Sequence, residues 1–172
     1  MNLAAVNYHY YDKETLCRKI ISLRLRAINA IRLAELTQAE ARMPGMPVPL
    51  EEILRIMTRP LFFTGNDLFC YNAASRRLLG RIFIEPLPFS EEILAEELQP
   101  VMTRFGQAIR RHAPSLSPGD FVWRYSLVVG AIHHAMATVH DMKARTHGVC
   151  RNDDPDSALR NLIAFAAQAF AR

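Results

Sequence analysis

The chain has 172 residues, of which 50% are hydrophobic and 22% are charged, and its formal net charge is +4. This length suits one domain, or one domain with a fragment of another, and the apolar content is enough for a sizeable core. The longest apolar runs, such as residues 127–132, are far shorter than the roughly 20 residues of a membrane span, so no membrane association is expected.

Cysteine usage and the N-terminus indicate the compartment. Cys17, Cys70 and Cys150 form an odd count without a Cys-x-x-Cys pair, which argues against a disulfide framework or a zinc knuckle. No charged leader precedes a long apolar stretch, so no secretory signal is predicted. We therefore expect free thiols and a cytoplasmic protein.

Positive charge is concentrated near the N-terminus. Its basic side chains are Lys13, Arg18, Lys19, Arg24, Arg26 and Arg32, opposed within this segment by Glu14. This pattern suggests contact with a polyanion, and the alternative is an ordinary solvated helix face.

Helical periodicity dominates the pattern of apolar residues. From Thr15 they recur at steps of three to five residues and predict one long amphipathic helix that ends before Pro44-Gly45. The predicted apolar stripe consists of Leu16, Ile20, Leu23, Ala27, Ile31, Ala34 and Ala39. A second helix is expected over about residues 50–63, where Pro60 should bend or end it.

Further helices follow in chain order. One is expected over about residues 71–85, and a longer one over 90–112, which Pro100 should kink or restart because proline lacks the backbone N–H. Ser117 to Asp120 reads as an N-cap, a first-turn proline and a capping acid, and opens a helix to about His140. Asp154-Pro155 opens an alanine-rich last helix. No strand pattern appears, so the sequence predicts an all-α fold.

The last two long helices predict a dimer. Residues 121–139 are apolar on nearly every side, and a small domain has few elements to cover such a helix. We expect these helices to form half of a four-helix bundle that a two-fold-related copy completes, as a homodimer. The alternative is that both are ordinary core helices of a monomer. The predicted interface consists of Val129, Met136, Leu159, Leu162, Ile163, Ala166 and Phe170.

The N-terminal string carries a family resemblance. Residues 3–16 read LAAVNYHYYDKETL, with an aromatic run at residues 8–10 and a Lys-Glu-x-Leu opening at residues 13–16. This string resembles the end of the TetR-family DNA-binding domain, where the recognition helix finishes and the fourth helix begins. Residues 29–33, 50–54, 59–61 and 77–81 and the final two long helices fit as well, so the resemblance extends over essentially the whole chain.

The resemblance implies a ligand-responsive, TetR-like transcriptional repressor that binds operator DNA as a homodimer. Residues 1–12 would be the remnant of a helix-turn-helix recognition helix and turn, and residues 13–172 the ligand-binding and dimerisation domain. The residues implied to contact DNA are Asn7, Tyr8, His9 and Lys13. Asn7 has the amide geometry to read adenine, and Lys13 would meet a phosphate.

The sequence departs from the family in two ways. Tyr11 stands where glycine is common, and Asp12 stands where serine or asparagine is more usual. In addition, Met1 falls inside the position of the recognition helix, so the first two helices of the head are absent. A late start-codon assignment and a natural truncation are both open, and we expect this chain to bind operator DNA poorly by itself.

The resemblance also implies a ligand pocket between the middle helices and the long apolar one. Methionines and aromatic residues suit an apolar or aromatic small-molecule effector, although at helical spacing they are also common in ordinary cores. The candidate lining residues are Met57, Phe62, Phe83, Met102, Phe105, Trp123, Leu127 and His133.

Two other classes of function were weighed against the regulator. For an enzyme, the sequence shows no hydrolase, zinc-protease or phosphate-loop motif, so no catalytic residue, metal ligand or cofactor is predicted. His133 and His134 would point about 100° apart on a helix and could not share a small site. The remaining alternative is a truncated dimerisation or adaptor module, or a small-molecule-binding protein that does not bind DNA.

Overall fold

The structure is a computed structural model that describes residues 13–62, 90–150 and 155–171. Within these residues the chain is helical and contains no strand, which confirms the all-α prediction. The helices are α1 (Lys13–Arg42), α2 (Leu50–Phe62), α3 (Ser90–Ile93), α4 (Gln99–Arg110), α5 (Pro118–Thr138), α6 (Met142–Arg145) and α7 (Pro155–Gln168). A π-helical turn over Leu94–Leu98 joins α3 to α4, and a 3-10 turn over Val139–Asp141 joins α5 to α6. The helix predicted over residues 71–85 lies outside the described residues.

Helix α1 buries a different stripe from the one that the apolar spacing predicted. The side chains of Leu16, Ile20, Leu23 and Ile31 remain 38–46% exposed. The buried stripe consists of Ile21, Leu25, Ile28, Asn29, Arg32, Leu36 and Ala39. Of the predicted stripe only Ala39 is buried, and the prediction was wrong for its other residues. The reason is that α1 carries apolar residues on two faces, and the buried face also contains the polar residues Asn29 and Arg32.

Pro100 shapes the passage from α3 to α4. Because proline has no backbone N–H, the regular pattern of helical hydrogen bonds cannot continue through it. The preceding turn is π-helical, and the backbone N–H of Gln99 donates to the carbonyl of Leu94. Helix α4 then begins at Gln99 with Pro100 in its first turn, which confirms the predicted restart.

Helix α5 begins with the predicted cap. The Ser117 hydroxyl accepts a hydrogen bond from the backbone N–H of Asp120 at 3.0 Å, and Pro118 occupies the first turn. On the inner side of α5, the Tyr125 hydroxyl donates to the carbonyl of Met102 in α4 at 2.8 Å. The Tyr125 ring also stacks on Phe121 with 5.9 Å between centroids. The hydrogen bond to Met102 holds α5 against α4, and the stacking fixes the Tyr125 ring that makes this bond.

Helices α5 and α7 pack as an antiparallel pair. Near the start of α5, Arg124 Nη1 donates to the carbonyl of Ala169 at 2.8 Å, just beyond the end of α7. The Phe121 ring lies 5.8 Å from the Phe170 ring in the same region. Towards the other end of α5, His134 and Asn161 line one shallow groove between the two helices. Position 127 of α5 therefore lies at about the level of position 165 of α7.

A buried polar network joins α1 to the π-helical turn. The buried Glu97 carboxylate accepts hydrogen bonds from Ser22 Oγ at 3.0 Å and from Arg26 Nε at 2.7 Å. Asn29 Nδ2 donates to the Glu97 carbonyl at 2.6 Å, and Asn29 Oδ1 accepts from Arg32 Nη1 at 3.2 Å. Asn29 thus ties the π-helical turn to α1 and orients the guanidinium of Arg32.

Replacing Asn29 with alanine should lower the free energy of unfolding by about 1–3 kcal/mol, because two buried polar groups each lose a hydrogen bond. Chemical denaturation measures this loss directly, and the melting temperature should fall by several degrees. Thr103→Ala is the control, since it removes an exposed side-chain hydrogen bond to the Gln99 carbonyl and should change stability by no more than about 0.5 kcal/mol. Equal losses in the two variants would contradict the role assigned to Asn29.

Candidate functional site

A cavity of about 240 Å³ lies between α1, α2, the π-helical turn, α4 and α5. Its wall is mostly aliphatic and includes the side chains of Met57, Met102 and Met136. The exposed Gln99 belongs to the wall and marks the side on which the cavity meets solvent. An engineered apolar cavity of about 150 Å³ holds benzene, so this one suits a molecule of about ten non-hydrogen atoms.

Besides Gln99 at the solvent side, Arg32 from α1 and His133 from α5 interrupt the apolar wall with polar groups. Arg32 is only 3% exposed. Burial, and to a smaller extent the positive charge of Arg32, together lower the pKa of His133 to about 4. Burial also raises the pKa of Tyr125, and there the charge of Arg32 acts against the rise. The positive charge of Arg32 therefore acts on two side chains of α5.

Sequence reasoning missed the place of Arg32. It counted Arg32 with the basic residues that could face a polyanion, and the structure instead buries it beside the cavity, which corrects that interpretation. The signal was its spacing, because Arg32 lies four residues after Ile28 and four before Leu36, on the stripe that α1 buries. Of the other basic residues, Arg18 pairs with Glu92 at 2.6 Å and Arg26 with Glu97 at 2.7 Å, so part of the positive charge on α1 is neutralised within the chain.

The structure distributes the predicted ligand residues over three environments. Met57, Met102 and His133 line the cavity. Phe62 and Phe105 are buried in the hydrophobic core outside the cavity wall. Trp123 and Leu127 lie on the outer side of α5 and are 71% and 67% exposed. Phe83 lies outside the described residues.

The predicted interface residues are also divided. Val129 and Met136 line the cavity, and Leu162 and Ile163 are half-buried. Leu159, Ala166 and Phe170 are buried within the chain. Large exposed apolar side chains occur instead on the outer side of the α5–α7 pair, which we call the outer face. It consists of Trp123, Leu127 and Phe165, which are 62–71% exposed.

Of the four residues implied to contact DNA, one belongs to the described part of the chain. Lys13 is the first residue of α1, whereas Asn7, Tyr8 and His9 lie outside the described residues.

Among the described residues, no three or more His, Cys, Asp or Glu side chains are grouped so that they could hold a metal ion. None of the described helices combines the length and apolar character needed to cross a membrane. Cys17 and Cys150 are free thiols, and Cys70 lies outside the description.

Lowering the pH should destabilise the protein through His133. Its pKa is about 4 in the folded chain against an ordinary 6.5, so between these values the unfolded state binds more protons and stability falls as the pH falls. The full effect is at most about 3 kcal/mol. His133→Gln should flatten this dependence in urea denaturation measured across the window. His134→Gln, at the exposed neighbouring position, should retain it, and an unchanged slope in His133→Gln would contradict the assignment.

Comparison with known protein families adds independent evidence. Residues 72–169 match the family model described as Tetracyclin repressor-like, C-terminal domain. The matched segment contains α4, α5 and α7, and so includes one wall of the cavity and the whole outer face. No curated protein is similar enough to the chain to count as a match.

Proposed function

Since the chain belongs to the family of tetracycline-repressor-like regulators, we propose that it is a ligand-responsive transcriptional repressor that acts on operator DNA as a homodimer. In this proposal residues 13–172 form the ligand-binding and dimerisation domain, and residues 1–12 are the end of a recognition helix and its turn. Asn7, Tyr8, His9 and Lys13 would contact the DNA, and the cavity would hold a small effector.

The observation that carries this proposal is the double role of α5. Val129, Ile132, His133 and Met136 face the cavity from one side of the helix. Trp123 and Leu127 stand exposed on its other side, at positions where the helical repeat places them away from the cavity. A molecule in the cavity would therefore touch the same helix that carries the outer face.

Helix α1 supplies the second half of the connection. It contributes Leu25 and Arg32 to the cavity, and its first residue, Lys13, is itself proposed to contact the DNA. An effector that fits best when α1 and α5 have one particular arrangement would favour that arrangement over others. Release from DNA follows if the favoured arrangement spaces the two heads of the dimer wrongly for successive major grooves.

The outer face supports the homodimer. Large apolar side chains clustered on a surface mark sites of protein interaction. A second copy related by a two-fold axis would bring the same α5–α7 pair against the first and cover Trp123, Leu127 and Phe165 in both. The half-buried Leu162 and Ile163 would lie at the margin, and Met136, Leu159, Ala166 and Phe170 would support the face from within each chain.

Replacing Trp123 with glutamate should weaken dimerisation by about a hundredfold or more, because a charged side chain would replace a large apolar anchor in the contact. Sedimentation velocity over a concentration series measures the dissociation constant. Met46→Glu is the matched control, since Met46 is 66% exposed and lies in the loop after α1, away from the outer face. A wild-type protein that stays monomeric at high concentration would contradict the proposal.

Transcript profiles test the regulatory role in cells that carry the natural gene. We expect deletion of the gene and the Trp123→Glu substitution to raise the same set of transcripts, because a repressor that works as a dimer loses its operators in both cases. The Met46→Glu strain should match wild type. A deletion strain with an unchanged profile would refute the repressor role while leaving dimerisation to the sedimentation result.

A further inference from the structure

We propose that the cavity is selective for a small amphipathic carboxylate, whose apolar body fills the methionine-rich part and whose carboxylate lies against Arg32 and His133. This inference rests on the proposed function, because it takes the cavity to be the effector site. It adds a charge requirement to the apolar or aromatic effector that the sequence predicts.

Arg32 provides the charge and the shape for a carboxylate. An arginine side chain stays protonated in proteins, so burial places a permanent positive charge at the cavity wall. Its planar fork of N–H donors matches the two oxygens of a carboxylate. The hydrogen bond from Arg32 Nη1 to Asn29 Oδ1, at 3.2 Å, fixes the position of the guanidinium.

The charge of Arg32 is effective at α5. It lowers the pKa of His133 and opposes the rise at Tyr125, so a group placed between α1 and α5 experiences a positive potential. The nearby Glu97 carboxylate accepts hydrogen bonds from Ser22 and Arg26 through Oε1. An anionic ligand in the cavity would be attracted by this positive potential, and the mostly aliphatic wall strengthens the attraction because its polarity is low.

His133 supplies the second polar contact. With a pKa of about 4 its imidazole is neutral at neutral pH, and a neutral imidazole has one N–H to donate. Arg32 and His133 together can serve the two oxygens of one carboxylate. A phosphate group carries more acceptors and up to two charges, and a sugar needs polar partners along its whole length, which the mostly aliphatic wall does not offer.

The remaining wall defines the rest of the ligand. Met57, Met102 and Met136 are flexible and polarisable, and they suit a chain or a ring equally. The volume limits the molecule to about ten non-hydrogen atoms. Octanoate has this size and charge, octanamide is its neutral counterpart, and octylamine is the cationic one.

Titration of the full chain with these three probes tests the inference. Octanoate should bind at least about tenfold more tightly than octanamide in calorimetry, because its contacts to Arg32 are charge-assisted, and octylamine should bind weakest. Methionine methyl resonances locate the site, since those of Met57, Met102 and Met136 should shift while those of Met46 and Met142 stay in place.

Arg32→Met should weaken octanoate binding at least about tenfold while leaving octanamide within about threefold. Arg32→Lys keeps the positive charge and should therefore keep the preference for octanoate over octanamide. This variant tests the role of the charge if Arg32→Met does not fold. Arg111→Met, which removes an exposed charge away from the cavity, should change neither affinity.

The outcomes separate this inference from the proposed function. If octanamide binds as tightly as octanoate and shifts the same three methionines, the cavity binds small molecules but does not select carboxylates. This result overturns the inference and still supports the cavity as the effector site. An absence of binding by all three probes overturns the inference together with the effector cavity on which it depends.

Discussion

Helix α5 carries more apolar surface than one copy of the chain covers, and this constraint organises the arrangement around it. On its inner side, Phe121, Val128, Ile132 and Met136 are buried against the chain's own helices. On its outer side, Trp123 remains 71% exposed, and burying a side chain of that size is worth several kcal/mol by area. Such an exposed apolar surface favours contact with a partner, and under the proposed function this partner is a second copy of the chain.

The second constraint is the buried charge on α1. Burying a guanidinium costs free energy unless its donors and its charge meet partners with good geometry. The surrounding structure must therefore hold the group in a defined position. Asn29 fixes it by bonding both to Arg32 and to the Glu97 carbonyl in the π-helical turn that precedes Pro100. Asn29 therefore links the π-helical turn to Arg32 in the cavity wall. A change in any one of these three should alter the positions of the other two.

The sequence predicted the fold well where local rules dominate. The cap at Ser117 and the restart at Pro100 depend on backbone hydrogen bonding within a few residues, and both are confirmed. It failed on α1, where two apolar faces compete and only tertiary packing decides which is buried. The cavity was harder still: Met57, Met102 and His133 were named from residue type and do line it, whereas Arg32 was assigned to the surface because charged residues usually lie there.

The division of α5 into a cavity side and an outer side explains how a small ligand could act at a distance. All four residues lie on one helix, so a displacement of α5 at His133 or Met136 also moves Trp123 and Leu127. A coupling of about 1–3 kcal/mol is enough to change an affinity by roughly five- to 150-fold. One charge-assisted hydrogen bond, made in only one of two arrangements of α1 and α5, supplies a free energy of this size. A ligand that bound the apolar wall alone would contact both helices less specifically, which is the physical reason to look for the effector among molecules that carry a charge.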